Sequence, residues 1–89
     1  MLKLLWDAGF KKSYKKKVAH SVRLKNKFEQ AMTLFAAKPF HPKLRTHKLS
    51  GLLDGSWSFS VDYDCRVVFD FIDEKTVLLI DIGTHDEVY

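Results

Sequence analysis

The spacing of apolar side chains changes once along this chain, and that change limits what the chain can fold into. Up to about residue 37 the apolar side chains recur every three or four positions, as on one face of an α-helix. From Trp57 onward they alternate with polar side chains, as on a β-strand with one buried face. Helices followed by strands are typical of an α+β domain, in which a helical layer packs on a sheet.

Two helices are predicted in the first half of the chain. Asp7 is a suitable N-cap for the first, whose apolar face is formed by Phe10, Tyr14 and Val18. The second is expected from about Ser21 to Ala37, with an apolar stripe that consists of Leu24, Phe28, Ala31, Met32 and Phe35. Pro39 and Pro42 follow it, and proline ends helices because it lacks a backbone donor and restricts the residue before it.

The remaining regular segments are predicted to be strands. A short one opens the chain at Met1–Trp6, and three more are expected at about residues 57–62, Cys65–Ile72 and Thr76–Ile82. These runs are rich in β-branched and aromatic side chains, which pack well on a pleated surface. The predicted order is β-α-α-β-β-β: an N-terminal strand and a two-helix hairpin packed on an antiparallel sheet, in one domain that spans residues 1–89.

Charge is divided unevenly along the chain. Residues 1–48 carry 13 basic and 2 acidic side chains, whereas residues 49–89 carry 2 basic and 9 acidic ones. The net charge of +11 in the first part suggests one strongly positive surface and a polyanionic partner. A solvated basic helix pair without a specific partner explains the same composition, and charge alone does not separate the two interpretations.

Several classes of protein are excluded by what the sequence lacks. The single Cys65 rules out an internal disulfide framework and leaves too few thiols for a zinc site, so we expect a cytoplasmic protein. Cys65 itself is expected to be a small buried side chain. No apolar run is long enough for a membrane span, and no secretory leader is recognisable. Phosphate-binding glycine loops, zinc spacings and nucleophile elbows are missing from the sequence.

Histidine is the candidate for proton transfer, because its unperturbed pKa of roughly 6.5 lies near working pH. His20 and His41 are expected to be surface or packing residues. His47, in a loop predicted at His47–Gly51, and His85, near the last residue, each stand next to a strand, where a scaffold can hold a reactive side chain. Metal-free RNA cleavage needs a base for the 2′-hydroxyl, a cation for the phosphate oxygens and an acid for the leaving 5′-oxygen.

Arg66 is the candidate for the cation, because a guanidinium matches phosphate oxygens and stays charged. Its position in the strand places it opposite the apolar set Cys65, Val67, Phe69 and Phe71. That set is expected to face the core, so Arg66 is expected on the other face of the sheet. The alternative is that Arg66 only forms a salt bridge, for which the candidate acids are Asp62, Asp64 and Asp70.

Three stretches in this order resemble the RelE/ParE superfamily of toxins, in particular its RelE/YafQ-type mRNA interferases. They are HKLSG after a lysine-rich helical hairpin, WSFSVDYDCRVVFDF at Trp57–Phe71, and the ending IGTHDEVY at Ile82–Tyr89. The resemblance covers essentially the whole chain. It implies a RelE-like fold and a ribosome-dependent endoribonuclease that cuts mRNA without a metal or cofactor and is neutralised by a cognate antitoxin.

The resemblance also implies roles for single residues. His85 matches the histidine to which YafQ-like toxins assign proton transfer, and His47 matches their loop histidine. Arg66 matches the arginine that acts on the phosphate, Asp64 an acid just before the third strand, and Tyr89 a functional aromatic near the C-terminus. The basic side chains expected to contact RNA phosphates are Lys11, Lys12, Lys15, Lys16, Arg23, Lys25, Lys27 and Lys48.

One departure from the family pattern leaves other functions open. YafQ-like toxins place a further histidine on the strand after the loop, and RelE-like ones place lysines there. This chain has Ser58 and Ser60 at those positions. A non-catalytic relative that only binds the ribosome or an antitoxin therefore stays an alternative, as does a ParE-like inhibitor of DNA gyrase.

Overall fold

Two helices pack on a five-stranded sheet in the computed structural model, which describes residues 1–51, 55–84 and 88. The elements in chain order are β1 (Lys3–Trp6), α1 (Ala8–Lys17), α2 (Val22–Ala37), a 3₁₀ turn (Pro42–Leu44), β2 (His47–Lys48), β3 (Trp57–Asp62), β4 (Cys65–Asp73) and β5 (Thr76–Gly83). The order of strands across the sheet is β1-β5-β4-β3-β2. The predicted β-α-α-β-β-β order is confirmed, with one short strand added between the helices and β3.

The sheet is mixed, because β1 lies parallel to β5 while the other pairs are antiparallel. The prediction of a wholly antiparallel sheet is therefore wrong at β1. A parallel partner needs a long connection, which the helices and the β2–β4 strands supply here. The loop predicted at His47–Gly51 is also wrong in part, since His47 and Lys48 form β2 and pair with Ser58 and Trp57. Among the described residues, neither α1 nor α2 is long and apolar enough to cross a membrane.

Both helices begin at the residues that the sequence indicated. The Asp7 carboxylate accepts a hydrogen bond from the Gly9 amide at 2.8 Å, and the Ser21 hydroxyl accepts one from the Leu24 amide at 3.1 Å. Such caps satisfy amides that have no partner inside the helix. The second helix ends at Ala37, ahead of the proline at position 39.

The core lies between the helices and one face of the sheet. Phe35 of α2 stacks on Phe59 of β3 with 4.3 Å between ring centroids and meets Phe69 of β4 edge-on at 4.8 Å. All three rings are fully buried, and Cys65 is buried in the same cluster, as predicted. The cluster joins the apolar faces of the helices to the alternating side chains of β3 and β4.

A β-bulge in β5 determines which side chains share the opposite face, which we call the outer face. Val68 pairs with Asp81 and Phe69 pairs with Leu79, so Ile80 is an extra residue in β5. Leu79 and Ile82 consequently both face the core, although they are three positions apart. Beyond the bulge, Asp81 of β5 lies on the outer face, where it pairs with Val68 of β4.

The outer face is less exposed than the alternation of β3 suggested. Ser58 has no exposed surface and Val68 is 2% exposed, although neither belongs to the main core cluster. The strand with one buried face that was predicted from Trp57 onward is thus buried on both faces at Ser58. Val88, also buried, donates its backbone N–H to the carbonyl of Thr84 at 3.1 Å.

Candidate functional site

Arg66 lies on the outer face, as its position in β4 predicted. It pairs with Ser60 of β3 on one side and with Gly83 of β5 on the other. Its guanidinium Nη1 donates a hydrogen bond to the Ser60 hydroxyl oxygen at 2.8 Å. A neutral hydroxyl holds the guanidinium without neutralising its charge, so Arg66 keeps its full attraction for an anion.

The salt bridge considered as an alternative for Arg66 is not found among residues 1–51 and 55–84. Asp62 pairs instead with Arg23 of α2 at 2.7 Å. Asp70 accepts a hydrogen bond from the Ser56 hydroxyl at 2.6 Å. Two of the three candidate acids, Asp62 and Asp70, thus have other partners.

An open cleft of about 590 Å³, which we call the basic cleft, lies at the end of the β3–β4 hairpin. Its lining combines one residue of α2, two from the 3₁₀ turn and its end, and the strands and turn of the hairpin: Lys27, Lys43, Arg45, Ser60, Val61, Asp62, Tyr63, Asp64 and Arg66. Four basic and two acidic side chains line it, which leaves it positively charged. Its volume lies within the range of roughly 300–1,000 Å³ that is usual for small-molecule sites.

Two of the basic side chains in the basic cleft, Lys43 and Arg45, were not predicted from the sequence. Both belong to the segment that follows α2, and neither has a helical or strand periodicity to mark it. Arg45 has φ 51° and ψ 38°, the left-handed conformation, at the end of the 3₁₀ turn. A residue other than glycine is strained there, and such strain is concentrated at functional positions. A basic cluster just before His47 was the available signal.

The ion pair between Arg23 and Asp62 changes the charge of the basic cleft. The Arg23 hydrogen bond is the main cause that holds the pKa of the Asp62 carboxyl below its ordinary value, followed by the Tyr63 backbone amide. Burial opposes this effect, and the charges of Arg23 and Lys27 add to it. Asp62 is therefore ionised but compensated, so its charge detracts little from the attraction of the basic cleft for phosphate.

His47 lies outside the basic cleft but is joined to it through Arg45. Its ring Nδ1 is 2.9 Å from the Arg45 carbonyl oxygen. A carbonyl oxygen only accepts hydrogen bonds, so Nδ1 carries a hydrogen and the lone pair of the neutral ring is on Nε2. His47 pairs with Ser58, which puts its Cα roughly 12 Å from that of Arg66, two strands across and two residues along the sheet.

The predicted residues divide into three groups. Lys27, Asp64 and Arg66 line the basic cleft, and His47 is tied to its edge. The basic side chains proposed for RNA are all exposed, namely Lys11, Lys12, Lys15, Lys16, Arg23, Lys25, Lys27 and Lys48. His85 and Tyr89 lie outside the described residues, so their roles stay predictions.

The other two histidines have the structural positions that were predicted. His20 is exposed in the turn between the helices. The Nδ1 atom of His41 accepts a hydrogen bond from the Lys43 amide at 3.1 Å and thereby caps the 3₁₀ turn. Within the described ranges, no three His, Cys, Asp or Glu side chains are grouped closely enough to hold a metal ion.

Comparison with known families decides which class of protein carries this site. The family described as "Bacterial toxin of type II toxin-antitoxin system, YafQ" matches residues 2–89 of the chain. The chain belongs to this family. It is therefore a YafQ-family toxin, and the RelE/YafQ resemblance noted in its sequence is confirmed. No curated protein sequence matches it.

Solved structures share the fold of this YafQ-family toxin over its whole length. A histidine variant of YafQ from E. coli is 19% identical with a TM-score of 0.82, covering 100% of this chain and 99% of that one. A metal-bound toxin from Helicobacter pylori is 26% identical with a TM-score of 0.75 and complete coverage of both chains. YafQ in the E. coli DinJ–YafQ complex is 20% identical with a TM-score of 0.75, covering 100% and 99%.

Proposed function

We propose that this toxin is an endoribonuclease that cleaves mRNA on the ribosome and is neutralised by a cognate antitoxin. The observation that carries the proposal is the charged guanidinium of Arg66, oriented by Ser60 inside the basic cleft. Membership of the YafQ toxin family supports the biological class.

The basic cleft supplies what phosphate binding needs. Arg66, Arg45 and Lys43 present donors around one opening, and RNA phosphates carry the complementary charge. Negative charge on the non-bridging oxygens grows as the phosphorus becomes five-coordinate. A guanidinium positioned in advance stabilises that charge more than it stabilises the bound substrate, and this difference accelerates the reaction.

Cleavage then needs two proton transfers. The 2′-hydroxyl gives its proton to a base, its oxygen attacks the adjacent phosphorus, and the bond from phosphorus to the 5′-oxygen breaks. An acid protonates that leaving oxygen, so the products are a 2′,3′-cyclic phosphate and a 5′-hydroxyl. The Nε2 atom of His47 suits one transfer because its Nδ1 is held by the Arg45 carbonyl. We assign the other transfer to His85.

Two further predicted residues complete the site. Asp64 lines the basic cleft, where its carboxylate can accept a hydrogen bond from a ribose hydroxyl. Tyr89 has a ring suited to stacking on a base and a hydroxyl suited to a phosphate. Both assignments follow from the resemblance to YafQ-like toxins, and for Asp64 its place in the cleft adds support.

The exposed basic side chains of the helices favour docking on ribosomal RNA. Phosphate contacts by lysine and arginine supply affinity without reading sequence, as a docking surface requires. The same charge favours an acidic or amphipathic antitoxin. The solved toxin–antitoxin complex of DinJ with YafQ from E. coli supports the existence of an antitoxin partner.

Cleavage of mRNA by purified toxin and translating ribosomes tests the proposal. Primer extension on the recovered mRNA should reveal new 5′ ends with the wild-type toxin, and Arg66→Ala should lose most of them. Lys75→Ala is the matched control, since it removes an exposed cation from the β4–β5 turn, away from the basic cleft. Intact mRNA under conditions where the toxin binds ribosomes would overturn the proposal.

The second candidate is a toxin that acts by binding alone, and the β3 serines favour it. Ser58 is fully buried, and Ser60 is occupied by Arg66, so neither replaces the proton-transferring or cationic side chain that relatives have there. Inhibited translation without cut mRNA would select this candidate. A DNA supercoiling assay tests the ParE-like form of it, with gyrase as the target.

A further inference from the structure

Tyr63 is the most exposed aromatic residue in the described part of the chain. It lies at the tip of the β3–β4 hairpin, where 93% of its surface is exposed. The other described aromatic side chains each pack against another ring, as in the Phe35–Phe59 stack, whereas no such contact is recorded for Tyr63 within residues 1–51 and 55–84. Its ring is therefore available to a ligand on both faces.

The backbone of the hairpin places Tyr63 at the edge of the basic cleft. Tyr63 and Asp64 form a two-residue turn, yet neither has a positive φ, so the turn differs from the common tight hairpin turns. The change of register between Ser60 and Asp62 accommodates it by bending β3. Asp62 is in turn fastened to α2 through its ion pair with Arg23.

The charges around Tyr63 determine which part of an RNA strand reaches it. The basic cleft attracts phosphate through Arg66, Arg45 and Lys43, whereas Tyr63 is followed by the acid Asp64. The charge of Asp62, on the other side of Tyr63, is compensated by Arg23. A phosphate is repelled by Asp64 and attracted further into the basic cleft. A neutral base attached to that phosphate is left beside the exposed ring.

We propose that Tyr63 stacks on an unpaired base of the RNA whose backbone phosphate lies in the basic cleft. The inference rests on the proposed function, because it names how that site holds its substrate. Stacking on an aromatic ring accepts any base, so Tyr63 positions the strand for cleavage and selects single-stranded over paired RNA.

The test measures binding of short single-stranded oligoribonucleotides by fluorescence anisotropy at low salt. One strand is complete, and each strand of a series lacks the base at one position but is otherwise identical. Tyr63→Ala should weaken binding of the complete strand roughly tenfold. It should leave one abasic strand of the series unchanged, namely the strand that lacks the stacked base. Tyr63→Phe keeps the ring and should bind like the wild type, while Tyr63→Leu should resemble Tyr63→Ala.

Three results would overturn the inference. They are no loss with Tyr63→Ala, an equal loss with every abasic strand, and a wild type that does not distinguish any abasic strand from the complete one. A loss of antitoxin binding without a loss of RNA binding would assign Tyr63 to that interface instead. Because binding is measured without ribosomes or cleavage, a failure of the stacking proposal can be distinguished from a failure of the proposed nuclease activity.

Discussion

The guanidinium of Arg66 donates to the hydroxyl of Ser60 over 2.8 Å, across a directly paired position of β3 and β4. In YafQ-like and RelE-like sequences a histidine or lysine is expected near this position, so the serine changes what the pair can do. The Ser60 hydroxyl carries no charge and does not serve as a general acid or base at neutral pH. Ser60 orients the guanidinium of Arg66, which is the only cation of β3 and β4 in the basic cleft. In the proposed reaction this guanidinium acts on the phosphate.

Ser60→Ala should slow mRNA cleavage about tenfold, because the freed guanidinium must be ordered again in each transition state. Arg66→Ala should slow it by about 10²–10³-fold, the usual effect of losing one preorganised donor. Single-turnover cleavage rates on programmed ribosomes measure both. The double variant should be no slower than Arg66→Ala alone. Additive losses would show that Ser60 acts independently of Arg66.

Arg45→Gly should separate the contribution of the Arg45 charge to RNA binding from the effect of its backbone conformation on the stability of the toxin. Glycine removes the guanidinium from the basic cleft but suits the left-handed backbone at φ 51°. Arg45→Ala is the matched control, because it removes the same charge and keeps a Cβ in that strained conformation. Both variants should weaken oligoribonucleotide binding equally, while urea unfolding should find the glycine variant more stable than the alanine variant by about 1 kcal/mol.

His47→Asn should abolish most cleavage while it preserves the fold. The asparagine amide nitrogen can take the place of Nδ1 and donate to the Arg45 carbonyl, but asparagine does not transfer protons at neutral pH. The expected loss in the single-turnover rate is about 10²-fold or more. His41→Asn, which replaces the histidine that caps the 3₁₀ turn, should retain activity. Full activity of His47→Asn would transfer its proposed role to another group.

Asp62 should stabilise the toxin above its unfolded pKa and cease to do so in acid. Its folded pKa is lowered from 3.8, chiefly by the Arg23 hydrogen bond, so its contribution is lost as the pH falls through the folded value. Urea unfolding at pH 7 should find Asp62→Asn less stable by about 0.5 kcal/mol, since Arg23 is 68% exposed and solvent screens the pair.

The same two proteins should become more alike as the pH falls below about 4, where the wild type loses this contribution. Asp64→Asn is the matched control, because it removes a carboxylate from the same turn without removing the partner of Arg23. A gap between wild type and Asp62→Asn that persists unchanged at low pH would contradict the assignment.

Ribosome affinity should fall steeply with salt concentration if the helices dock on RNA. Bound lysines release counterions from the phosphates, so the logarithm of the affinity falls linearly with the logarithm of the salt concentration. Replacing both Lys12 and Lys16, which are exposed one turn apart on α1, by glutamine should reduce the slope by about 2. Lys75→Gln should not change it. Sedimentation with ribosomes measures the slope, and a flat response would remove the helices from the docking surface.

The local features of the fold were readable from the sequence because they depend on neighbouring residues. The cap at Asp7 follows from its residue type, and the helix start near Ser21 and the outward direction of Arg66 follow from helix and strand periodicity. The features that were missed depend on distant partners. Nothing near β1 indicates that its neighbour is β5, and nothing in His47–Lys48 indicates that β3 lies beside it.

The candidate site divides in the same way. Arg66 and His47 were found from residue type and from the family resemblance, whereas Lys43 and Arg45 were missed. Those two residues lie in and at the end of the 3₁₀ turn, where Arg45 has the left-handed conformation. The periodicity of a helix or a strand does not predict the direction of side chains in such an irregular segment. The burial of Ser58 was missed for a related reason, because a period of two identifies a face but not what covers it.

The extra residue at position 80 has a consequence for the chain beyond it. If Ile80 were paired in a regular strand without the bulge, alternation from Leu79 would direct Asp81 into the core and Ile82 onto the outer face. The bulge thus accommodates Ile80 without changing the sides on which its neighbours lie. A one-codon deletion of Ile80 should therefore leave Leu79, Asp81 and Ile82 in regular alternation and keep the pairing of Gly83 with Arg66.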